Sequence, residues 1–72
     1  MPVTRLLDAY HNKMLSGNPP LQDVDYFLAY IDGWKDAAEL FPTHERSDIL
    51  TACTLYRKIW EERRSAYFAG GA

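Results

Sequence analysis

The side chains able to ligate a metal or attack a substrate are few: His11, His44, Cys53 and scattered carboxylates. A structural zinc site needs ligands at fixed short spacings. The chain has no Cys-x-x-Cys, no histidine pair at i,i+4 and no His-x-x-Glu-His. His11 falls at the edge of an apolar helix face, where an imidazole covers core atoms and keeps its polar tip wet. His44 follows Thr43, the expected cap of a helix. Neither position calls for a metal, and no cofactor is expected. Cys53 lies in the middle of an apolar helix face and reads as a small hydrophobe, because a reactive thiolate needs an electropositive, accessible site. The carboxylates fall on solvent-facing helix positions, where water keeps them ordinary. Gly70-Gly71 follows a helix instead of opening one, the wrong end for cradling phosphate. The expectation is a protein without catalysis of its own.

The elements that carry these residues are marked by two breaks. Ser16-Gly17-Asn18-Pro19-Pro20 is the first and Phe41-Pro42-Thr43 the second, since Gly ends helices and Pro cannot continue them. Between the breaks the apolar period is helical at ~100° per residue. Val3, Leu6, Leu7, Tyr10 and Met14 share one side of the first segment, with Arg5, Asp8 and Asn12 opposite. Val24, Phe27, Tyr30, Ile31, Trp34, Ala38 and Phe41 share a face of the second. Ile49, Ala52, Cys53, Tyr56, Ile59, Trp60 and Tyr67 share one of the third. No segment alternates as a strand does. The spacing predicts a single all-α domain over 1–72, a small up-down-up bundle of three helices at about 4–16, 20–41 and 44–68, the first one short. Ala69-Gly70-Gly71-Ala72 reads as a frayed end.

Charge is unevenly placed. Residues 1–18 carry +1, residues 19–41 carry −4 and residues 42–72 carry +1. Asp25, Asp32, Asp36 and Glu39 fall in an arc of about 60° opposite the second apolar face. That arc is either a solvated helix back or a surface for a basic partner. Arg46, Arg57 and Arg64 line one flank of the third helix, beside Tyr56, Trp60 and Tyr67. A nucleic-acid interface would use such a flank, yet three arginines neutralise few phosphates, and Glu45, Glu61 and Glu62 share the helix. The competing reading is that these arginines lean on rings or pair with acidic neighbours.

Length carries a further expectation. At ~1.5 Å per residue the three helices run about 20, 33 and 38 Å. A tight turn places the end of the first beside the start of the second, so its far end stops near Tyr30 to Trp34. Beyond that level Trp34, Leu40, Phe41, Ile49 and Leu50 are expected to form an uncovered apolar end and a protein-binding surface, most simply between two copies of the chain.

The chain has 72 residues, 47% hydrophobic, one cysteine and a net charge of −2. That is enough apolar material for one core and too little positive charge for general nucleic-acid attraction. One cysteine cannot form an internal disulfide, which suits the cytoplasm. No apolar run approaches the ~20 residues of a membrane span, and Met-Pro-Val-Thr-Arg does not open a secretory signal. The leading expectation is a helical protein–protein interaction module, a regulator, inhibitor or adaptor working as a homodimer. Its size suits a phage- or mobile-element-encoded protein. A dimeric nucleic-acid regulator using Arg46, Arg57 and Arg64 ranks second. An accessory subunit completing a partner's ligand site ranks third.

Overall fold

The computed structural model describes residues 3–70. The chain is an all-α bundle with a short first helix: α1 (Arg5–Ser16), α2 (Leu21–Ala37) ending in a 3-10 turn (Ala38–Leu40), and α3 (Thr43–Gly70). Among the described residues there is no strand. Gly71 and Ala72, part of the expected frayed end, lie outside the described residues, and α3 continues to Gly70.

The breaks fall where the prolines put them. Gly17 adopts extended backbone, and its N–H reaches the Met14 carbonyl at 3.4 Å. Pro20, also extended, opens α2: its carbonyl accepts from the N–H groups of Asp23 and Val24 at 3.0 and 3.2 Å. At the second break, Phe41 is driven into extended geometry by the proline that follows. The preceding turn therefore tightens to 3-10, and α2 stops short of the expected 41. The α3 helix starts one residue earlier than its pattern suggests. Arg46 N–H bonds the Pro42 carbonyl at 2.8 Å, so Pro42 takes the capping position and Thr43 is the first helical residue.

The core is one cluster: Leu7 and Met14 from α1, Val24, Phe27 and Ile31 from α2, Ala38 from the 3-10 turn, and Ile49, Cys53 and Trp60 from α3. Fully burying side chains of this size contributes about 1.5–3 kcal/mol each. The α3 helix packs along α2 and its terminal turn, forming a long hairpin. The α1 helix approaches that hairpin more sparingly by backbone and is held mainly through side chains.

The placement of α1 corrects two readings. His11 is 6% exposed and sits within the core, its Nδ1 facing the Trp60 indole, instead of at the edge of the apolar face. Asp8, expected to face solvent, is half-buried against α3. Helical spacing explains both, because Thr4, Asp8 and His11 recur at i, i+4 and i+7 and form a polar stripe along the α3-facing side.

Candidate docking groove

A ladder of rings runs along the α1–α2 side of the bundle. Tyr10 of α1 meets Tyr30 at 4.9 Å between centroids, Tyr30 meets Trp34 edge-on at 6.4 Å, and Trp34 stacks on Phe41 at 6.3 Å. All four residues are half-buried, packed inward on the core while part of each remains accessible. Helical spacing places Tyr30, Trp34 and Ala37 on one side of α2. The extended backbone at Phe41 returns that ring to the same side.

Outside the ladder lies an open groove of about 360 Å³, lined by Tyr30, Gly33, Trp34, Ala37 and Phe41 and almost wholly apolar. Gly33 forms its floor. A β-carbon built there would meet nothing within 4 Å, so the groove is open above Gly33. Leu6, 65% exposed, sits one helical turn before Tyr10 and borders the same side. A second, more polar hollow of about 540 Å³ lies at the α1–α2 turn, between Tyr10, Met14 and Pro19.

The expected apolar end is divided by this geometry. Trp34 and Phe41 line the groove. Ile49 is fully buried and belongs to the core. Leu50 lies on the opposite edge of the hairpin, around a hollow of about 50 Å³ with Lys35, Cys53, Thr54 and Arg57. Leu40 protrudes at the corner with 86% exposure. The five residues do not make one contiguous patch, because Ile49 and Leu50, adjacent in sequence, are turned ~100° apart on α3. Tyr30, Gly33 and Ala37 complete the exposed surface instead. The signal that finds them is the 3–4 spacing of Tyr30, Gly33/Trp34 and Ala37 on one helix.

The two charged surfaces meet each other. Arg57 pairs with Asp32 and, at 2.7 Å, with Glu61, while Arg64 bonds Asp25 at 2.6 Å and lies over the Phe68 ring. The acidic arc thus has two members on the α3-facing flank of α2. Asp36 and Glu39 continue it as exposed residues. Arg46 donates to the carbonyls of Glu39 and Phe41 at 3.4 and 3.3 Å, covering acceptors that the 3-10 turn leaves open. Arg57 and Arg64 spend their charge on acidic partners within the fold, and Arg46, bonded to neutral carbonyls, keeps its own, so the flank offers little net charge to phosphates.

A polar network joins α1 to α3. Thr4 Oγ1 donates to Asp8 Oδ2 at 2.9 Å, Tyr56 Oη donates to Asp8 Oδ1 at 2.5 Å, and Trp60 Nε1 donates to His11 Nδ1 at 2.9 Å. Burial and the Asp8 carboxylate push the Tyr56 phenol up to about 12. Burial pushes the Cys53 thiol up as well, opposed by Lys35, and its Sγ lies 3.7 Å from the Ile31 carbonyl in the core. Among the described residues no three His, Cys, Asp or Glu side chains are grouped to hold a metal ion, and no helix is long and apolar enough to cross a membrane. Compared with protein-family models, curated proteins and solved structures, the chain matches none.

Proposed function

We propose that this protein is a helical interaction module that works by docking on protein, as a regulator, inhibitor or adaptor, with no catalysis of its own. The observation that carries the reading is the apolar groove over Gly33, bounded by Tyr30, Trp34, Ala37 and Phe41. Rings fixed by neighbouring rings lose little freedom on binding, which favours them as anchors for an apolar segment of a partner. Homodimerisation belongs to the same reading. A self-complementary pairing is the simplest closed arrangement, and Leu50 and Leu40 lie outside the core to contribute to it. A cytoplasmic setting is supported by a core that stands on packing, with one buried free thiol.

The test compares the wild-type chain with Ala37→Glu and Leu50→Glu. Ala37 is half-buried beside the groove and Leu50 is exposed, so both variants should keep their helical circular dichroism. Sedimentation equilibrium reads the mass. The homodimer requires twice 8.3 kDa at micromolar concentration for the wild type, with loss of mass in Leu50→Glu. Capture from native host extract reads the groove: Ala37→Glu should lose partners that Leu50→Glu retains. A monomeric wild type whose captured partners are indifferent to Ala37→Glu refutes the proposal.

A further inference from the structure

The His11–Trp60 hydrogen bond has a directional consequence. An indole N–H is a donor only, so His11 Nδ1 must accept it, and the neutral ring carries its proton on Nε2. The one place for a second proton is Nδ1, the atom already facing the Trp60 donor at 2.9 Å. On protonation, two N–H groups point at each other in a site where His11 is 6% and Trp60 0% exposed. The imidazole has little room to turn. It stacks on Tyr56 at 4.0 Å and meets Trp60 edge-on at 6.0 Å, with Phe27 on a further side at 6.3 Å.

We infer that this bond is a proton-sensitive latch, and that a proton on His11 unseats α1 from the α2–α3 hairpin. The charged and titratable groups around it are few. Asp8 on α1 favours the cation, but it is already bonded by Thr4 and Tyr56. On α3, Arg63 opposes the cation and lies over the Trp60 ring at 4.8 Å, while Tyr56 turns its hydroxyl to Asp8. From α2 the ring contact is Phe27, which is apolar. Burial outweighs the attraction of Asp8 and holds His11 below its ordinary 6.5.

The sign follows. A released His11 takes up its proton near 6.5, a docked one only at lower pH, so acid favours release. Docking strength is complete above pH 6.5 and falls as pH drops towards the docked value. The response is confined to α1 because the hairpin keeps its own buried contacts, whereas α1 is attached largely by side chains. Release would bare the α1-facing surfaces of Phe27 and Trp60 and withdraw Tyr10 from the edge of the aromatic ladder.

The experiment uses the full-length ¹⁵N-labelled chain, with indole and amide resonances and hydrogen exchange followed from about pH 8 to about pH 5. Below pH 6.5 the Trp60 indole resonance should shift while that of Trp34 holds. The open fraction of α1 should rise by up to about tenfold per pH unit, after correction for intrinsic exchange, with α2 and α3 unchanged. His11→Gln should dock at all these pH values, since its amide oxygen accepts the same bond and does not titrate. His44→Gln, at an exposed site, should behave as wild type. A step that survives in His11→Gln, or a wild type whose α1 stays closed while His11 titrates, overturns the latch. If His11→Gln fails to dock, Trp60→Phe decides: removal of the donor should raise the titration of His11 towards 6.5, and an unmoved titration overturns the proposal.

Discussion

Replacing Gly33 with alanine should stabilise the fold and narrow the groove at once. Gly33 lies within α2, is exposed, and has no positive φ, so its backbone is one that alanine adopts without strain. Glycine costs about 0.8–1.0 kcal/mol relative to alanine inside a helix. That gain should appear nearly whole, because the added β-carbon meets nothing within 4 Å and no repacking offsets it. For a domain of this size about 1 kcal/mol raises the melting temperature by roughly 4–8 °C. The melt is followed by circular dichroism at fixed protein concentration, since self-association would otherwise shift it. Partner binding is measured in parallel and should weaken, as the new methyl projects into the groove that Gly33 lines. A lower melting temperature would refute the open geometry over Gly33. A raised one with unchanged binding would show that the partner docks elsewhere.

Tyr56→Phe removes the hydroxyl shared with Asp8 and should cost about 1 kcal/mol at neutral pH, measured by urea titration. In the wild type, the Tyr56 contribution is complete below pH 10 and is lost as pH rises from 10 towards 12, because the unfolded phenol ionises first; Tyr56→Phe should flatten that decline. Asp25→Asn with Asp32→Asn removes two exposed cross-helix ion pairs, and the combined loss should stay within about 0.4–2 kcal/mol and shrink at high salt. Thr43→Ala should change stability by less than about 0.5 kcal/mol, since Thr43 is the first helical residue and the Pro42 carbonyl makes the capping bond; a melting point lower by several degrees would restore Thr43 as the cap.

The helices were legible because proline and glycine act locally. Pro19-Pro20 and Pro42 stop or start a helix whatever packs around them, and the buried apolar residues recur at helical spacing. The site was legible only in part. Trp34 and Phe41 stand out as large rings near a break, but the groove beside them is also lined by Gly33, which has no side chain to stand out in a sequence pattern. Leu50 is grouped with them by its level along the hairpin, beyond the reach of the short first helix, although its helical phase places it beside Lys35. Asp8 and His11 were misplaced for a different reason. Periodicity sorts residues by polarity and sends polar ones outward, whereas these two meet matching polar groups, Tyr56 and Trp60, from 48 and 49 residues away. No local pattern contains that pairing. The sequence reads Asp25 and Asp32 as part of either a solvated back or a surface for a basic partner, and the partners they find on α3 are again distant, Arg64 and Arg57.

The unlike flanks of α1 also fix the hand of the bundle. A short helix added to a two-helix hairpin has two faces on which to lie, and apolar burial alone barely distinguishes them. On the observed face, Thr4, Asp8 and His11 look towards α3 and find Tyr56 and Trp60, while Tyr10 looks towards α2 and finds Phe27 and Tyr30. Moving α1 to the other face while keeping its direction exchanges its flanks. Asp8 and His11 would then lie against α2, without the Tyr56 and Trp60 donors, and Tyr10 would leave the aromatic ladder. A carboxylate left with Thr4 alone and an imidazole without its donor cost several kcal/mol, enough to make the alternative arrangement rare. The polar stripe is thus a chirality label, and a chain with Asp8 and His11 both replaced by leucine should lose its single hand before it loses its helices.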